Sequence, residues 1–88
     1  MDEIVVELYI LKIAINRGWK VQPDQKAYKR LITTMAKKAD GETVICPCKV
    51  YVKGMVDIAE VRCPCPESKK AVDVEGSCHC NMFFKWIA

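Results

Sequence analysis

The sequence has no apolar run long enough to cross a membrane. Its longest candidate, IVVELYILKIAI from Ile4 to Ile15, is broken by Glu7 and Lys12 and falls short of the roughly 20 residues that a spanning helix needs. No secretory leader is expected, because the chain begins Met1-Asp2-Glu3, acidic where a leader is basic; a matured extracellular disulfide protein is the alternative. A cytoplasmic, reducing setting is therefore expected. Concentrated charge of one sign is absent too. Residues 1–44 carry 8 basic and 6 acidic side chains and residues 45–88 carry 6 and 5, so neither half offers the positive footprint that nucleic acid requires. The mild excess of positive charge suits an acidic protein partner, and an ordinary solvated surface equally well. There is no linker, no low-complexity segment and no repeat beyond three short cysteine motifs. Finally, the first 44 residues contain no cysteine; all six lie between Cys46 and Cys80.

At 88 residues the chain is expected to form one domain, with a helical half over 1–44 and a cysteine-rich half over 45–88. A domain this small buries only about two-thirds of its unfolded surface, so a staple is expected. The helical half is predicted to hold a pair of helices. Asp2 to Asn16 is apolar on too many sides for a simple amphipathic stripe. Its length, its acidic start and its Arg17-Gly18 stop nevertheless favour a helix over a strand. The second helix opens at Pro23-Asp24 and stops at Asp40-Gly41. Ala27, Leu31, Ile32, Met35 and Ala39 recur at spacings of three and four and define its inner face. Between them GWKVQ reads as a connector whose Trp19 packs into the core. In the cysteine-rich half VYVKGMV is compatible with a short hairpin, MVDIAEV with one or two helical turns, and the tail NMFFKWIA with a cover for something buried.

The cysteines come as Cys46-Pro47-Cys48, Cys63-Pro64-Cys65 and Cys78-His79-Cys80. Zinc ribbons use Cys-x-x-Cys, whose two middle residues turn backbone amides toward sulfur. A single middle residue gives a different bite, and proline there removes a donor. Three disulfides would allow 15 connectivities, but a reducing compartment argues against them. A third use of six sulfurs is four plus two: four thiolates for an iron–sulfur cube and two for a catalytic disulfide beside it.

The order CPC, CPC, CHC, ending in an aromatic tail, resembles the catalytic (beta) subunit family of ferredoxin:thioredoxin reductase, and within it the short archaeal ferredoxin:disulfide reductases. The resemblance spans residues 46 to 84 and extends more loosely to the preceding helices through GWKVQPD. It implies a small, mainly α domain organised around a [4Fe–4S] cluster, with short helices, loops and little or no regular sheet. Carried over residue by residue, it implies cluster ligation by Cys46, Cys63, Cys65 and Cys78. It leaves Cys48 and Cys80 as a redox-active disulfide, Cys48 attacking and Cys80 on the cluster side. The implied activity takes single electrons from ferredoxin and reduces a thioredoxin- or glutaredoxin-like protein. Nothing in this reading calls for nucleic acid or a membrane; it is compatible with a monomer and equally with a second subunit, as in the plant-type enzyme.

Other residues take roles beside these. His79, between a ligand and a redox sulfur, is a candidate for proton transfer because imidazole titrates near neutrality. Pro47 and Pro64 would stiffen the ligand loops. Met82, Phe83, Phe84 and Trp86 would wall off the cluster, and Lys49 and Lys53 would face an acidic partner. The rival reading is a non-enzymatic zinc or iron–sulfur module that mediates assembly.

Overall fold

Short-range capping defines the first helix. The Asp2 carboxylate accepts a hydrogen bond from the Ile4 amide at 2.8 Å, and Gly18 sits in the left-handed region (φ 70°), its N–H returning to Ala14 and Ile15 carbonyls. These are the two end signals of an isolated helix, and they bound α1 at Glu3–Arg17. The computed structural model describes residues 1–86. In them α1 is followed by β1 (Trp19–Val21), α2 (Gln25–Lys38), α3 (Ile58–Val61), α4 (Ser68–Glu75) and β2 (Phe83–Lys85). Asp24 caps α2 by accepting from the Lys26 and Ala27 amides, so Pro23 precedes the helix instead of opening it. The inner face of α2 is centred on Ile32, Met35 and Ala36; Ala27, Leu31 and Ala39 are only half-buried. In α1 the buried positions are Val6, Ile10 and Ala14, one every four residues.

Four helices occupy under half of the described residues, so the domain is partly helical where a mainly α fold was expected. The expectation of little or no sheet also needs correction. β1 and β2 pair antiparallel, with Trp19 opposite Lys85, Lys20 opposite Phe84 and Val21 opposite Phe83. Each strand is three residues long, and they lie more than sixty residues apart, so neither carries a periodicity signal of its own. Trp19 is buried as anticipated, its ring centroid 5.2 Å from that of Phe83. One core joins Val6, Ile10, Ile32, Met35, Val72, Met82 and Phe83 to Cys63 and Cys78.

The VYVKGMV segment is not a hairpin. It forms turns at 52–56, with Val50, Val52 and Met55 exposed, because no second strand lies beside it to cover them. The helical turn expected in MVDIAEV is α3, capped by Asp57 accepting from the Ala59 amide. In the tail Met82 and Phe83 are buried, but Phe84 is half-buried and Trp86 is exposed, so Trp86 takes no part in the expected wall. The last two residues, 87 and 88, lie outside the described residues. Among the described residues no helix is long and apolar enough to cross a membrane.

Candidate metal and thiol centre

Three backbone devices bring the cysteine motifs together. The Cys46 amide donates to Val61 O (2.7 Å) and the Cys63 amide to Val44 O (2.8 Å), with Ile45 bridging Arg62, so the first two motifs lie side by side. Cys65 enters the turn that starts α4: the Ser68 amide and hydroxyl both donate to Cys65 O, at 3.0 and 2.7 Å. The third motif is tied to β2, where the Cys78 amide donates to Phe83 O and the Phe83 amide reaches Cys78 Sγ at 3.3 Å. After Cys80 the chain reverses at Asn81, which has φ 60°. Asparagine tolerates this left-handed geometry better than most side chains, and the Gln22 side-chain amide donates to Asn81 O at 3.0 Å.

Side chains from the helical half reach the same loops. Tyr9 of α1 donates its hydroxyl to Cys63 O at 2.6 Å, next to the cis Cys63–Pro64 peptide. Lys38, the last residue of α2, extends its ammonium to Pro47 O at 3.2 Å and to Lys49 O. It thus grips the carbonyls on both sides of Cys48. The sequence reading missed both residues, because the partners are carbonyls 54 and 9 positions away and no motif encodes such a contact.

All six cysteines are free thiols. Cys46, Cys63, Cys65 and Cys78 are buried, Cys80 is half-buried and Cys48 is exposed. Cys46, Cys63, Cys65, Cys78 and Cys80 line one small cavity with Pro64, Ser68, His79 and Phe83. The tightest trio is Cys46, Cys48 and Cys80, whose sulfurs lie within 4.8 Å of one another. The Cys46–Cys48 and Cys78–Cys80 sulfurs are each 3.4 Å apart. The trio mixes one expected ligand with both expected redox sulfurs.

The thiols do not titrate alike. Hydrogen bonds from Cys80 pull Cys46 and Cys78 down to about 6, against the opposing effect of burial. Cys80, donor to both, is pushed far up by those bonds and by burial. Burial, then the Cys46 sulfur, pushes Cys48 up to about 11, and burial raises Cys63 and Cys65. Two effects oppose each other: hydrogen bonds favour the thiolate at Cys46 and Cys78, while burial and neighbouring sulfurs disfavour it at Cys48, Cys63 and Cys65. A bound cation supplies the missing countercharge, and metal binding releases the protons. An all-sulfur donor set suits zinc or an iron–sulfur group. The cluster can bind metal.

His79 lines the sulfur cavity, yet its ring nitrogens lie against carboxylates. Its half-exposed ring sits between carboxylates, Nδ1 3.8 Å from Glu67 and Nε2 3.5 Å from Glu75, and among the described residues no hydrogen bond joins it to a cysteine. Glu75 lies four residues before His79, a spacing legible in the sequence; Glu67 is brought in by the turn after Cys65. Glu67 also pairs with Lys49 at 3.1 Å, so Lys49 is not a free docking cation. Lys53 is exposed.

With three Cys-x-Cys motifs meeting at one pocket, the comparison with known families is decisive. Residues 5–86 match the family described as ferredoxin thioredoxin reductase catalytic beta chain. The chain belongs to this family. The match spans both the helical half and the cysteine half, so the resemblance first carried by residues 46–84 extends through α1 and α2. Membership implies oxidoreductase activity. No curated protein matches the chain.

Proposed function

We propose that the protein is a ferredoxin-dependent disulfide reductase, with Cys46, Cys63, Cys65 and Cys78 holding a [4Fe–4S] cluster and Cys48 and Cys80 forming the redox-active pair. The observation that carries this reading is the unequal exposure of the six thiols: four buried, Cys80 half-buried and Cys48 open to a partner. Family membership supports it. The cluster, when bound, supplies single electrons to a site that must deliver two.

The steps at sulfur follow from position. Cys48 is the accessible nucleophile, and as the thiolate it attacks one sulfur of a target disulfide. One target thiol leaves and a mixed disulfide remains. Cys80, already within 4.8 Å of Cys48, then attacks the Cys48 sulfur, frees the second target thiol and closes the Cys48–Cys80 disulfide. Two electrons and two protons restore the dithiol. Lys38 holds the loop that carries Cys48. In this reading His79, flanked by Glu67 and Glu75, takes up and returns protons at the rim. Met82 and Phe83 keep water from the buried sulfurs. The electron donor in this reading is ferredoxin, the acceptor is a thioredoxin- or glutaredoxin-like protein, and the setting is a reducing cytoplasm, where disulfides are catalytic.

The test is a trapping experiment. With Cys80→Ser, Cys48 should form a stable mixed disulfide with a thioredoxin that lacks its second cysteine; with Cys48→Ser no adduct should form. An adduct that maps to Cys80 would exchange the roles. The rival reading, an assembly module, draws on the Cys46–Cys48–Cys80 trio, because a metal held there engages both redox sulfurs. Stoichiometric zinc without sulfide in anaerobic protein, together with no reductase activity, would favour it.

A further inference from the structure

The outward face of α1 is apolar, and among the described residues nothing covers it. Ile4 is 67%, Leu8 63% and Ile15 80% exposed, with Leu11 also exposed. Their spacings of four, three and four put them on one narrow stripe of the helix. Val6, Ile10 and Ala14 face the core from the other side. The excess of apolar residues in the sequence of α1 is therefore two separate faces. Single exposed apolar side chains need no explanation, whereas a contiguous row marks an interaction surface.

The pattern says what fits there. Ile4, Leu8, Leu11 and Ile15 occupy alternating d and a positions of a heptad, the seam of a coiled coil. Glu7, half-buried beside Tyr28 of α2, falls at g and the exposed Lys12 at e, on opposite flanks of the seam and five residues apart. In a parallel two-fold pair the g side chain of one helix meets the e side chain of its partner five residues on. Glu7 of each copy then faces Lys12 of the other, twice over. An antiparallel pair would set the two Glu7 flanks together and the two Lys12 flanks together. Self-complementarity of this kind is what a two-fold interface requires.

We propose that α1 is a homodimerisation surface, through which two copies of this chain associate by parallel pairing of the Ile4–Leu8–Leu11–Ile15 seam. Two heptads bury less than the roughly 800 Å² per partner of a standard interface, so the association is weak and reversible. The cysteine loops and α1 are joined through Tyr9, whose hydroxyl points away from the seam to Cys63 O. Both thiol centres therefore stay accessible in the dimer. This inference does not depend on the reductase reading.

Sedimentation velocity of the reduced, anaerobic protein, over a dilution series from roughly 1 mM to 1 μM, covers the affinity range of small interfaces. The expected result is a monomer–dimer shift that Leu8→Glu abolishes with the far-UV spectrum unchanged. Glu7→Lys and Lys12→Glu should each weaken the dimer roughly three- to tenfold, the size expected when two solvent-screened pairs turn repulsive. Mixing these two single variants should restore it, since each Lys then faces a Glu. A monomer at every concentration overturns the proposal, as does a dimer that Leu8→Glu leaves intact. A dimer unaffected by both charge reversals, or one that the mixture fails to restore, overturns the parallel arrangement.

Discussion

Residues 3–38 contain two helices of 15 and 14 residues with side-chain caps at their starts, and their buried positions follow helical spacing. Residues 44–86 contain helices of only 4 and 8 residues. Their loops are held by isolated backbone bridges, by Ser68, Tyr9 and Lys38 bonding to carbonyls, and by a pocket of sulfur. The first region presents its share of the common core from regular elements. The second buries four thiols beside Val44, Ile45, Val61, Val72, Met82 and Phe83, with Val44, Ile45 and Met82 outside any regular element. Its loops are therefore held largely by contacts to the scaffold that the first region provides.

The contrast breaks most completely at the sulfurs. Ser at Cys46, Cys63, Cys65 or Cys78 should abolish metal loading and release the ordering of 44–86, since ligation energy is folding energy in small metal domains. Iron and sulfide analysis with hydrogen exchange should show protection lost across 44–86 and largely kept in α1 and α2. Uniform loss in both regions would mean that the halves fold as one unit.

Phe83→Ala tests the seam between the regions, because Phe83 is buried, pairs with Val21 and stacks near Trp19. A cost of about 3–5 kcal/mol is expected for truncating a buried phenylalanine, read as a lowered urea midpoint in both regions. Lys38→Met removes the ammonium that spans the Cys48 loop. Bonds to charged groups contribute about 1.5–3 kcal/mol, and Cys48 alkylation should accelerate while the urea midpoint of α1 and α2 hardly moves. Lys38→Arg should not restore the wild-type rate, because a planar guanidinium does not reproduce a point donor. The smallest effect is expected at Asn81. Asn81→Val places a branched side chain at φ 60° and should cost about 1–2 kcal/mol, whereas Asn81→Gly should be nearly neutral in thermal unfolding.

The two long helices, their ends and the identity of the buried tryptophan were legible in the amino-acid order. These depend on contacts within a few residues: Asp2 and Asp24 at N-caps, Gly18 at a C-cap. The family was legible as well, because three Cys-x-Cys motifs are a local pattern. The remaining features came from long-range packing. The β1–β2 ladder joins segments that carry no signal alone. The grading of the thiols from buried Cys46 to exposed Cys48 depends on which loops pack over them, and two residues' separation in sequence does not reveal it. Tyr9 and Lys38 find their carbonyl partners only once the chain has closed. The two apolar faces of α1 are indistinguishable in composition, and only the packing of α2 and the sheet against Val6, Ile10 and Ala14 sets which one is left outside.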